Sequence, residues 1–253
     1  MERADALFQF LLRMGDNTLI LGHRVSEWCG HSPVLEEDIA LANTALDLIG
    51  QTQLWLGLAG EVEGQGRSAD ELAFRRDVWD FRNVLLVEMP NGDFGQTIMR
   101  QFLYDAWASI MAAKLVESAD ERVAAIAEKA GKEIAYHLNR SSDTVIGLGD
   151  GTDESHGRMQ AALDYLWPYV GEMFESDAVD AAVAAAGIAP DPAGLRAEYD
   201  ALVARVFAEA TLTAPDSRFA HKGGRDGFRH TEHLGHLLVE MQWLQRAYPD
   251  ATW

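Results

Sequence analysis

Apolar residues recur along this chain at alternating steps of four and three. Leu7, Leu11, Met14, Thr18, Leu21, Val25 and Trp28 trace one stripe, which predicts an amphipathic helix closed by the "GHSP" at 30–33. A second helix is predicted over 36–60, with Glu36, Glu37 and Asp38 at the positive end of its dipole. A shorter helix is expected over 70–88, before Pro90 and Gly92 break the chain. Two long proline-free helices follow over 93–117 and 120–148. Another runs to about Trp167, "GIAPDPAG" at 187–194 reads as a loop, and helices over 198–210 and 230–248 flank a polar loop at 213–229. No period-two alternation is long enough for a strand. The pattern predicts an all-α fold whose helices suit a bundle.

Polar residues interrupt these stripes. On the second helix Asn43, Asp47, Gly50 and Leu54 fall on one side, beside Ile39 and Leu46. Asp105 sits mid-seam among Ile98, Phe102, Ser109, Ala112 and Val116, and Glu133 and His137 align with Ile126, Ala130 and Thr144. An ionised carboxylate between helices is costly unless it is paired or bound to metal. Each acid therefore either sits at a seam edge, capped by Arg or water, or contributes to a carboxylate metal site. The stretch "GKEIAYH" puts Glu133 and His137 four apart. Di-iron bundles use Glu-x-x-His, three apart, and the three-apart position here is Tyr136.

Composition narrows the field. Lys plus Arg is 21 against 40 for Asp plus Glu, a net charge of -19, which repels nucleic acid and anionic membrane. One cysteine, Cys29, permits no internal disulfide and favours a reducing, cytoplasmic setting. The opening "MERADALFQF" is acidic where a signal peptide would be basic, and no apolar run reaches membrane-spanning length. "HTEHLGH" collects His230, His233 and His236 ahead of Glu240, either a zinc-binding cluster or an exposed helix start. "SRFAHKGGRDGFRH" gathers Arg218, Lys222, Arg225 and Arg229 around three glycines, a loop able to meet a phosphate or an acidic partner, or simply solvated. There is no phosphate-binding glycine loop, Cys-x-x-Cys or Gly-x-Ser-x-Gly elbow.

Several long segments carry a resemblance: "LGHRVSEWCGHSPVLEEDIALANTALDLIGQ", "MPNGDFGQTIMRQFLYDAW", "KEIAYHLNRSSD", "GDGTDESHGRMQAALDYLWPY" and "HTEHLGHLLVEMQWLQRAYP". In order and spacing they resemble the C subunit of bacterial ring-1,2-phenylacetyl-CoA epoxidase, over nearly the whole chain. The resemblance implies one ferritin-like helical domain over 1–253, with a core bundle at about 4–148 and a C-terminal helical extension at about 151–253. It also implies a structural, non-catalytic subunit of an NADPH-dependent monooxygenase that epoxidises the ring of phenylacetyl-CoA in aerobic phenylacetate catabolism. The expected partners are the catalytic A subunit, which holds the di-iron centre, a small B subunit, and a reductase with flavin and iron–sulfur. Self-association is expected too, and neither a cofactor nor a catalytic residue is expected in this chain.

Carried over by motif, the A subunit's metal-site positions fall on Glu27, on Asp47 and Gly50, on Asp105, and on Glu133 and Tyr136. Four carboxylates remain and both imidazoles are gone, which implies a vestigial site. The alternatives are a di-metal enzyme using the four acids with His137 or His23, and a free-standing helical binding protein. Arg218, Lys222, Arg225 and Arg229 are the candidate contact for a partner or a phosphate.

Overall fold

A computed structural model describes residues 3–217 and 219–251, and every regular element among them is helical. In chain order the α-helices are α1 (Arg3–Ser26), α2 (Leu35–Glu63), α3 (Ala69–Phe74), α4 (Leu85–Glu88), α5 (Phe94–Leu115), α6 (Glu121–Gly149), α7 (Asp153–Leu166), α8 (Ala178–Ala185), α9 (Arg196–Glu209) and α10 (Glu232–Ala247). The class is all-α, built on the two long helical hairpins of a ferritin-like bundle, with additional C-terminal helices. Contacts divide the chain into two compact units, the described residues of Met1–Met89 with Lys222–Trp253, and Pro90–His221. No described helix is long and apolar enough to cross a membrane.

In the first unit α1 and α2 form an antiparallel hairpin. Gly15 lies beside Leu56, Thr18 Oγ1 is 2.9 Å from Thr52 Oγ1, and Gly22 lies beside Leu48. A methyl group added at Gly15 would sit 2.5 Å from Leu56 Cδ2, so glycine is what lets the two helices close there. Leu11, Leu21, Leu41, Leu48 and Leu56 are fully buried in this seam. The face of α2 that meets α1 is not the one the pattern singled out. Ile39 and Leu46 point outward, while Ala45, Thr52 and Trp55 point in. The helix is apolar on both sides, so periodicity alone could not choose between them.

The single helix expected over 70–88 is also corrected, into α3, a 3₁₀ turn (Val78–Asp80) and α4. Polar side chains of α1 supply the reason. Asp16, fully buried, pairs with Arg76 and accepts the Arg82 backbone N–H at 2.8 Å. Asn17 accepts the Val84 N–H at 2.8 Å. These backbone groups are thereby satisfied from α1 instead of by the preceding turn. Arg76 also lies over the Phe81 ring, 4.4 Å from its centroid. The buried Gln242 of α10 donates to the carbonyls of Ala73 and Arg76 at 2.9 and 3.0 Å, fastening α10 to the same segment.

In the second unit α5 and α6 form the other hairpin. Asp93 caps α5 by accepting the Gln96 N–H, and Asp120 caps α6 through Arg122. Phe102 meets Phe207 of α9 at 5.8 Å, and Tyr199 donates to the Leu103 carbonyl at 3.3 Å. α8 was not foreseen, although Asp177 and Asp180 form a complete capping box before its alanine-rich run. The predicted loop at 187–194 is irregular over 187–191 and ends in a 3₁₀ turn (Pro192–Leu195) that leads into α9.

Candidate functional site

The first unit positions Glu27, Asp47 and Gly50. Glu27 lies just beyond the end of α1, where it accepts from Arg24 Nη1 at 3.2 Å and lies 3.6 Å from His23 Nδ1. Partial burial opposes its ionisation, but the nearby His23 imidazole and the Arg24 guanidinium outweigh that. The carboxyl is held below its ordinary 4.5. Arg24 is itself fixed, donating Nε and Nη2 to the Glu88 carbonyl at 3.2 and 2.9 Å. Asp47 is half-buried on α2, and one turn on, a side chain at Gly50 would enter open space.

The second unit positions Asp105, Glu133, Tyr136 and His137. Asp105 is buried on α5 and accepts from Gln101 Nε2 at 2.7 Å and from Ser141 Oγ of α6 at 2.8 Å. Burial pushes its carboxyl up to about 6, against the opposing influence of His137, Ser141, Gln101 and Arg140. His137 is buried beside this group, while Glu133, one turn earlier, is half-buried. Tyr136 is 55% exposed and meets His137 edge-on at 6.2 Å. The helix therefore aims the wrong residue inward for an x-x-His ligand, because one step along an α-helix turns the side chain by about 100°.

Glu27 is engaged by Arg24, Gly50 supplies no donor, and Tyr136 turns to the surface. No group of three or more His, Cys, Asp or Glu side chains among the described residues is arranged to hold a metal.

Two acids of greater structural weight went unnoticed in the sequence. Asp16 holds the 76–82 segment, as described. Glu88, fully buried, lies 2.6 Å from His230 Nδ1 and accepts from Thr231 N at 2.7 Å, Thr231 Oγ1 at 2.6 Å and Asn83 Nδ2 at 2.9 Å. It ties down the entry to α10, and it commits His230 to a carboxylate rather than to a cluster with His233 and His236. A lone acid in the apolar run "VLLVEM" was the available signal.

In the basic loop Arg218 lies outside the described residues. Lys222 and Arg229 are exposed, and Arg225 is half-buried, its carbonyl accepting from Arg13 Nε at 3.1 Å. Gly227 has φ +71, and a side chain there would collide with Arg82 and the Trp79 carbonyl. This glycine fits the loop against the 79–82 segment.

A family model described as Phenylacetic acid catabolic protein matches residues 1–253. The C subunit of the 1,2-phenylacetyl-CoA epoxidase of Escherichia coli (strain K12) is 48% identical over 249 residues, which is 98% of this chain and 100% of that protein. With its two helical hairpins and this match along its whole length, the chain belongs to the phenylacetic acid catabolic protein family.

Proposed function

We propose that this chain is a structural, non-catalytic subunit of a multicomponent monooxygenase that epoxidises the aromatic ring of phenylacetyl-CoA, acting in the cytoplasm in phenylacetate catabolism. The observation that carries this reading is the match along the full length of the C subunit of the Escherichia coli epoxidase. In this role it supports a catalytic A subunit that holds the di-iron centre. The assembly also includes a small B subunit, and a flavin and iron–sulfur reductase delivers electrons from NADPH. The chain also associates with itself within the complex.

Its own site is vestigial, and the geometry supports this. Glu27 is engaged by Arg24, Asp105 is held by Gln101 and Ser141, and the two imidazole positions are Gly50 and the outward Tyr136. A carboxylate buried without a metal needs other groups to stabilise it. Lys222, Arg225 and Arg229 form a positive surface on a strongly acidic chain, suited to seating an acidic face of a partner.

Elemental analysis of the chain expressed in iron-replete medium, together with turnover assays, tests this. The expected result is far less than one iron per chain and no epoxidation by the chain with reductase alone, with activity on adding the catalytic subunit. About two irons per chain, or turnover without another oxygenase subunit, would refute it in favour of a di-metal enzyme. Normal epoxidation by the other subunits in its absence would make it a free-standing binding protein.

A further inference from the structure

The loop that opens α5 holds the one Asn–Gly step of the chain, Asn91–Gly92. The other asparagines stand before Thr18, Thr44, Val84 and Arg140. The N–H groups of Thr18, Thr44 and Arg140 belong to helix interiors, and that of Val84 donates to Asn17. Gly92 differs on each count. It is exposed, it has no side chain to screen its nitrogen, and its N–H meets no acceptor among the described residues. Its φ of +58 is one that glycine adopts freely, and a Cβ there would lie 2.5 Å from Gln96 Oε1.

The hydrogen bonds around this step polarise both of its reacting groups. Arg100, fully buried on α5, donates Nη2 to Asn91 Oδ1 at 2.7 Å. A cation on that oxygen draws electron density from Cγ and stabilises the negative charge that nucleophilic attack places there. Thr97 Oγ1 donates to the Asn91 backbone carbonyl at 2.9 Å, which draws density from the peptide bond and eases loss of the Gly92 amide proton. Gln96 Nε2 donates to the Pro90 carbonyl at 2.9 Å, and Asp93 accepts the Gln96 N–H at 2.9 Å. Residues on both sides of the step are thus tied to the first turn of α5, which restrains nucleophile and carbonyl next to each other.

We infer that Asn91–Gly92 is a self-modifying site, where the fold promotes deamidation of Asn91 to a carboxylate. Gly92 N gives up its proton to solvent and attacks Asn91 Cγ. The new C–N bond closes a cyclic succinimide as the Cγ–Nδ2 bond breaks, and the amide nitrogen takes up a proton and leaves as ammonia. One water then opens the ring. Addition at Cγ gives an ordinary aspartyl residue, and addition at the former backbone carbonyl gives an isoaspartyl linkage. The sum exchanges an amide and one water for a carboxylate and an ammonium ion, with no oxidation or reduction. The aspartyl product sets a carboxylate on Arg100 where a neutral amide stood, a stronger, charge-assisted contact for a guanidinium withdrawn from water. The isoaspartyl product lengthens the backbone just ahead of α5 and displaces the carbonyl that Thr97 holds.

Ageing the folded full-length chain at neutral and mildly alkaline pH provides the test. The tryptic peptide 83–100 contains both Asn83 and Asn91, and mass spectrometry follows each amide in it. An isoaspartyl methyltransferase counts the isoaspartyl form. Conversion should occur at position 91, rise with pH, and leave Asn83 intact. It should run at least as fast as in a synthetic peptide of residues 83–100, which has the step without the fold. Arg100→Lys, which withdraws the fork from Oδ1, should slow conversion about ten-fold or more, since one donor to a developing oxyanion is worth about 100–1,000-fold in an enzyme. Thr97→Val should slow it several-fold, and circular dichroism checks that each variant folds. Asn91→Asp, the product made directly, should melt at or above the parent. An unchanged Asn91, or a peptide that converts about ten-fold faster than the folded chain, would overturn the inference whether or not Arg100→Lys folds. An Asn91→Asp chain that melts below the parent would overturn the role of Arg100 in receiving the product.

Discussion

Replacing Asp105 by Asn removes a buried titrating group while keeping its size and its capacity to accept a hydrogen bond. In the folded chain burial raises this carboxyl from its ordinary 3.8 to about 6, so the native state binds the proton more tightly than the unfolded chain does. Stability from this group is therefore fully present below pH 3.8 and is lost as pH rises through about 6. That displacement corresponds to on the order of 3 kcal/mol. The amide should fit the same partners. Its oxygen can accept from Gln101, and the Ser141 hydroxyl can turn toward the Leu138 carbonyl, 3.3 Å away, leaving its own oxygen to accept from the new amide. Urea unfolding of parent and variant between about pH 4 and 7.5 isolates the effect, because titrating groups that do not interact with Asp105 cancel in the difference. The variant should gain about 2–3 kcal/mol on the parent across that range. Two unfolding curves that stay parallel with pH would refute the claim that burial dominates at Asp105. A variant that loses ground as pH rises would reverse its sign.

Two further outcomes are expected. Arg76→Ala should cost about 3–5 kcal/mol in chemical denaturation, because it strands the fully buried Asp16 without its cation; a loss below about 1 kcal/mol would mean that the Arg82 N–H alone suffices to hold that carboxylate. Lys222→Glu/Arg229→Glu, both exposed, should weaken association with the catalytic subunit several-fold at low salt and hardly at all at high salt. Unchanged affinity at low salt would leave the loop as a solvated surface, and intact assembly with a raised KM for phenylacetyl-CoA would assign it to the substrate.

Most of the helical organisation was legible in the sequence because it depends on local periodicity and punctuation. The stripe from Leu7 to Val25 is one buried face of α1, and Asp93, Asp120 and Thr152 mark helix starts with side chains that accept from the first turn. The absence of an imidazole at Gly50 and Tyr136 is likewise a matter of residue identity. What periodicity could not decide was which side of a doubly apolar helix faces inward. On α2 the answer depends on the close approach allowed by Gly15 and Gly22, and it put Ile39 and Leu46 on the surface. Nor could it foresee that Asp16 and Asn17 would reach across about 60–70 residues of sequence to take the backbone N–H groups of Arg82 and Val84, cutting one expected helix into three pieces. Glu88 and His230 are 142 residues apart and find each other only in the folded unit. Local pattern determined which segments became helices. Which acids were buried, and what neutralised them, was decided by tertiary packing, because desolvation depends on everything that surrounds a charge and not on its neighbours in sequence.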